Sequence, residues 1–186
     1  MNRLANMRCY LAGAIEKESY GGVQWRTKLK SDLRELNIQW LDPTDKPTTV
    51  GIENEDTGRM LKQYRSQGNG VAVKEIMRPI RHVDLRMIDL SDFIIARLEP
   101  DVPTFGTHEE IDRAIYQHKP VLIMVEGGLD KAPLWWFDKV DLATLFEKWS
   151  DMYSYLETVA HSAANDLSLM EASDWKWIFF SWQGEK

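Results

Sequence analysis

The apolar positions of this chain fall into short unbroken runs, separated by stretches in which they recur every three or four residues. The runs are strand-sized and sharply closed: residues 8–12 ending at Gly13, residues 38–41 stopped by Asp42-Pro43, residues 93–98, and residues 121–125 after Lys119-Pro120. Between them, Trp25, Leu29, Leu33 and Leu36 recur at helical spacing and predict a helix over 23–36. Further helices are predicted over 57–65 and 73–90, joined by Ser66-Gln67-Gly68-Asn69-Gly70. In the second of these, Ile76, Ile80, Val83, Met87 and Leu90 share a face, with Pro79 placed to kink it. The pattern continues with helices over 106–118 and 142–160 and a last strand over 175–182. Residues 42–58, rich in Pro, Thr, Gly and Asp, read as a long loop, which in a compact domain is commonly functional.

Strands alternating with helices predict βαβ units and a parallel sheet covered on both faces. In such a sheet a ligand sits beyond the carboxyl ends of the strands, near the switch in strand order. Three stretches are thereby singled out: 13–22, 42 onward, and 99–110.

Composition narrows the function classes. The 186 residues suit one domain, with a Trp-rich extension from about residue 130; 44% are hydrophobic, enough for a real core. A formal net charge of −6 argues against a broad nucleic-acid footprint, which needs clustered Lys and Arg. No apolar stretch approaches the length of a membrane span, and residues 1–7 carry neither an apolar core nor a small-residue cleavage site, so a cytoplasmic chain is expected. The single cysteine, Cys9, suits a reducing compartment and reads as a buried strand thiol. Of the eight tryptophans, Trp149, Trp175, Trp177 and Trp182 crowd towards the end, where they would pack a C-terminal element onto the core or onto another subunit.

Chemistry could reside in Gly106-Thr107-His108-Glu109-Glu110. By spacing, Thr107 and Glu110 form a capping box; equally, a carboxylate in a first helical turn at the ligand edge would be held ionised and could act as a nucleophile. Asp84, between Arg81 and Arg86, reads by itself as part of a solvated helix face. Small residues after the first strand, Gly13, Ala14 and Ile15, let a ligand approach the backbone, but the three spaced glycines of a dinucleotide site are missing. The four histidines have no metal-ligand spacing, and there is no nucleophile elbow or Walker sequence, so neither metal nor cofactor is expected.

In order and spacing, several motifs together resemble the nucleoside 2-deoxyribosyltransferase-like family, which includes related nucleotide N-glycosidases. They are Tyr10-Leu11-Ala12-Gly13-Ala14, Trp25-Arg26, Asp42-Pro43, Asp84 ahead of Ser91-Asp92-Phe93-Ile94-Ile95-Ala96, Gly106-Thr107-His108-Glu109-Glu110 with Ala114, and Lys119-Pro120-Val121. The resemblance covers residues 8–125 and implies a Rossmann-like (flavodoxin-like) three-layer α/β sandwich. It implies that Glu110 attacks C1′ of a (deoxy)ribosyl donor, that Asp84 serves the departing base as an acid, and that Tyr10 orients the nucleophile. A retaining double displacement then passes the sugar to another base or to water. Gly13, Ala14, Ile15, Asp42, Gly106 and Thr107 would line the substrate. Partners would be a small nucleoside or nucleotide and a free base, with assembly into homo-oligomers whose neighbour completes the pocket. One position departs from the nucleoside-specific pattern: Thr104 stands where those enzymes have an acid, and a hydroxyl there, helped by Arg81 or Arg86, would accept a 5′-phosphate. The alternative is a non-catalytic nucleotide-binding sensor module.

Overall fold

The computed structural model describes residues 2–15, 22–46, 49–102 and 104–161. The predicted strand at 175–182, with Trp175, Trp177 and Trp182, lies outside these residues. Five strands, β1 (Arg8–Gly13), β2 (Gln39–Leu41), β3 (Phe93–Leu98), β4 (Val121–Val125) and β5 (Leu145–Phe146), form one sheet in the order β2-β1-β3-β4-β5. Every pairing is parallel. The helices are α1 (Val23–Asp32), α2 (Glu55–Ser66), α3 (Gly70–Leu90), α4 (Phe105–Tyr116), α5 (Trp136–Lys139) and α6 (Trp149–His161).

The period of two along each strand sorts the core into two layers. Cys9, Leu11, Phe93, Ile95, Leu122 and Met124 pack with Leu29, Leu33, Met152 and Leu156 of the α1/α6 side. Tyr10, Ala12, Ile94, Ala96, Val121 and Ile123 pack with Met87, Ile88, Ile111 and Ala114 of α3 and α4. The result is a three-layer, flavodoxin-like α/β sandwich. In this order the chain leaves β1 for β2 on one side and returns to β3 on the other, so the crevice at the carboxyl ends of β1 and β3 is the switch point.

Three expectations are corrected. The helix predicted over 23–36 ends at Asp32, and Arg34–Leu36 is a separate 3-10 turn closed by Asn37 at φ 52°. The helix predicted over 142–160 is broken: a 3-10 turn, Leu142–Thr144, leads into β5, and the helix itself begins at Trp149. A two-residue strand leaves too little pattern to detect, but Leu145 and Phe146 are both buried against β4. The helix predicted over 106–118 runs from Phe105 to Tyr116, with Thr104 as its cap residue. Cys9 is buried as expected, and burial holds its thiol well above the ordinary range. Trp149 stacks on Trp25 at 5.9 Å, tying α6 to α1.

Candidate active site

Tyr10 lies mid-strand on the face turned towards α3 and α4 and is fully buried. Its hydroxyl donates to Glu110 Oε1 at 2.8 Å. This contact overturns the capping box. The cap residue of α4 is Thr104, whose side chain makes no cap bond, so Thr107 is already the third helical residue and is buried. Glu110 therefore sits in the second turn, where its side chain reaches inward to Tyr10 rather than back to a cap. Burial also works against the ionised carboxylate that a first-turn position would favour. Removal from water pushes Glu110 up to about 8, with the Tyr10 hydroxyl and the Arg26 charge opposing and the charges of Asp84 and Glu53 adding.

Asp84 is not on a solvated face. α3 turns it inward, 7% exposed, while Ile80, Met87 and Ile88 of the same face bury against the sheet. Burial raises it, and the ammonium of Lys46, 2.8 Å from Oδ1, opposes that rise. Arg81 and Arg86 are exposed rather than its neighbours in a surface network, and Arg81 pairs with Glu109. The Asp84 and Glu110 charges also raise Tyr10, after burial, so the three groups form one electrostatic unit.

Asp42, at the end of β2, is buried and accepts from Lys30 Nζ at 2.7 Å and from the Thr44 amide and hydroxyl at 2.8 and 2.6 Å. These bonds hold its carboxyl below the usual range despite burial. Beside it, Arg26 of α1 is completely buried. Its guanidinium donates to the carbonyls of Gly22 and Gly13, each at 3.0 Å, and lies 3.7 Å from Asp42 Oδ1. The strand-one glycine has a packing reason: a Cβ on Gly13 would stand 2.9 Å from the Trp25 ring. Ala14 is buried, Ile15 half-buried, and Gly106 has open space where a Cβ would be.

The structure thus brings Tyr10, Asp84 and Glu110 together at the switch point, with Asp42 and Gly13 alongside. Thr104, Gly106 and Thr107 form the first turn of α4 next to them, and Arg81 stays outside with Glu109. Sequence reasoning missed two buried cations, Lys46 and Arg26, as charge partners of the acids. Arg26 stood in a recognisable Trp-Arg pair; Lys46 stood in a loop without periodicity. Among the described residues no group of His, Cys, Asp and Glu could hold a metal, and no helix is long and apolar enough to cross a membrane.

A buried tyrosine and two carboxyl groups with raised affinity for protons thus stand together at the switch point of a doubly wound sheet, the place and the groups that acid–base or nucleophilic chemistry would use. No protein-family model and no curated protein matches the chain. Among solved structures, a 2-deoxyribosyltransferase from the psychrotolerant bacterium Bacillus psychrosaccharolyticus, described as a biocatalyst for nucleoside synthesis, matches with a TM-score of 0.52 and 18% identity. The match covers 80% of this chain and 95% of that one, and at this identity it establishes the shared fold.

Proposed function

We propose that this chain cleaves the N-glycosidic bond of a (deoxy)nucleoside or its 5′-monophosphate, with Glu110 as nucleophile. The observation that carries the reading is the Tyr10–Glu110 hydrogen bond at 2.8 Å with Asp84 close enough to perturb both groups. Glu110 attacks C1′ as the base departs with the bonding electrons, through a cationic, oxocarbenium-like transition state that a carboxylate stabilises. The ester formed is then opened at C1′ by a second base or by water, and Glu110 is regenerated. The resemblance of the sequence motifs and the nucleoside chemistry of the structural neighbour support the substrate class.

The electrostatics add a condition. At neutral pH the ligand-free site carries a proton on Glu110, whereas attack needs that carboxylate bare and departure needs a proton at the base. One proton satisfies both demands if it passes from the sugar side to the base side, where Asp84 stands. The site needs no outside acid for a single turnover. For a monophosphate, the Thr104 hydroxyl, which makes no cap bond, and the N-terminal amides of α4 would be the donors; Arg81 would first have to leave Glu109.

The burial of Glu110, which favours its neutral form, also supports the second reading, a binding module that does not cleave. Incubation with nucleosides and monophosphates, with and without free bases, followed by chromatography of released bases, separates the two. Glu110→Ala should abolish release by about a thousandfold or more while leaving ligand binding in place. Binding by the wild-type protein without any base release would make it a sensor, and clear preference for unphosphorylated substrate would remove the phosphate role of Thr104.

A further inference from the structure

Lys46 lies in the segment between β2 and α2, four residues past Asp42, yet its side chain is only 2% exposed. A buried ammonium needs acceptors around it. This one donates to the Gly51 carbonyl at 2.7 Å, sits 2.8 Å from Asp84 Oδ1 and stands 4.0 Å from Glu53. Local backbone fixes the arrangement. Gly51 adopts φ 71° and lies so close to α3 that a Cβ would be 2.8 Å from the Pro79 carbonyl oxygen, so the loop is docked on the helix that carries Asp84. A buried ion pair is a weak stability device, because desolvation offsets its Coulombic gain. Its effect on the neighbouring acids is the larger consequence.

We propose that Lys46 is a positioning residue that decides which of the two acids, Asp84 or Glu110, carries the negative charge in the ligand-free site, and that it assigns the charge to Asp84. The inference rests on the reading of these two groups as the reacting pair. The contacts are asymmetric. Asp84 has a cation at 2.8 Å. Glu110 has the neutral Tyr10 hydroxyl in contact, and among the described residues no cation touches its carboxylate. Glu110 faces Tyr10 from β1, Asp84 from α3, Arg26 from α1 and Glu53 from the loop ahead of α2; Asp84 faces Lys46 and Arg26. The guanidinium of Arg26 is already held by the Gly13 and Gly22 carbonyls.

The consequence has an unusual sign. Without Lys46, Asp84 is a buried acid that has lost its contacting cation, so it takes up a proton. Its charge then no longer opposes ionisation of Glu110. Removing a cation therefore makes a nearby carboxyl group a stronger acid.

The test is a carbon-13 NMR titration of the glutamate side-chain carboxyls in ligand-free protein, with Glu110 assigned through Glu110→Gln. Lys46→Met should lower the Glu110 midpoint by about one pH unit, and Lys46→Arg should leave it within a few tenths. In an Asp84→Asn background, Lys46→Met should no longer lower it, since the charge through which Lys46 acts is gone. This double variant contains no buried carboxylate at position 84, which guards against a fold that fails for want of a counter-ion. A Glu110 midpoint unmoved in folded Lys46→Met, or lowered equally in the Asp84→Asn background, overturns the proposal. The titration needs no turnover. If the midpoint moves as expected and no nucleoside is cleaved, the positioning role stands and the glycosidic reading falls. If nucleosides are cleaved and the midpoint stays, the reverse holds.

Discussion

At the scale of the residue, Tyr10 is the proposed site group whose contact is most sharply defined. It donates to Glu110 from a fully buried position, and a donor stabilises the charged form of the carboxylate it serves. Tyr10→Phe removes that bond and little volume. Glu110 should then hold its proton more tightly, so the falling limb of kcat/KM, where the free enzyme loses the one proton the site uses, moves to higher pH by about one unit and the form with a bare Glu110 becomes about tenfold rarer. Turnover at pH 7 should fall about tenfold in step. An unchanged pH–rate profile would mean that Tyr10 only fills space. Of the three, only Glu110 fell in a stretch that the strand ends single out; Tyr10 and Asp84 joined it through the family resemblance, and Asp84 by itself read as part of a solvated helix face. Sequence could not show their protonation. Burial and mutual charge decide that, and both are properties of the packed site. Lys46 stayed invisible for the same reason: nothing in Asp45-Lys46-Pro47 signals that a loop lysine folds inward to meet Asp84.

At the scale of the element, the first turn of α4 and the end of β1 each place a glycine at the crevice, for opposite reasons. A Cβ at Gly13 would meet the Trp25 ring at 2.9 Å and the Arg97 carbonyl oxygen at 3.4 Å, so Gly13→Ala disturbs α1 and should cost about 1–3 kcal/mol of stability. Gly106 meets no protein atom within 4 Å and lies inside a helix, where alanine is the better residue. Gly106→Ala should therefore stabilise the fold by about 0.5–1 kcal/mol in thermal unfolding. If substrate approaches this turn, the same change should raise KM about tenfold, or 1.4 kcal/mol. A rise in stability with no change in KM would leave Gly106 without a binding role. The helix start itself was misread from sequence because Thr104 and Thr107 are both plausible caps. Placing the cap at Thr104 puts Glu110 in the second turn on the core-facing side, against Tyr10 rather than against a cap. The missing β5 reflects its two-residue length, since periodicity needs more chain than that to declare itself.

At the scale of the whole molecule, the site leaves a mark on stability that needs no substrate to observe. Glu110 binds its proton up to about 8 when folded, against an ordinary value of 4.5 when unfolded. Between those limits the folded state holds more protons than the unfolded one, so stability falls as pH rises. Asp84, also raised, contributes in the same direction from 3.8 upward. His108, lowered from 6.5 by burial, works the opposite way, but only below 6.5. Asp89, held at about 2 chiefly by Arg113, does not titrate in this range. Lys119, lowered to about 8 by burial, works the opposite way as pH nears 8, so the interval from pH 6.5 to 8 reports the buried acids with a partial offset from Lys119. Over it the wild-type protein should lose about 1 kcal/mol, seen as a fall of roughly 3 °C in Tm. Glu110→Gln keeps an acceptor for the Tyr10 hydroxyl but has no proton to lose, so its Tm should be nearly flat across the same interval and higher than wild type at pH 8. A wild-type Tm that does not fall between pH 6.5 and 8 would mean that Glu110 is ionised in the resting fold, and the proton would then have to reach the departing base from outside the site.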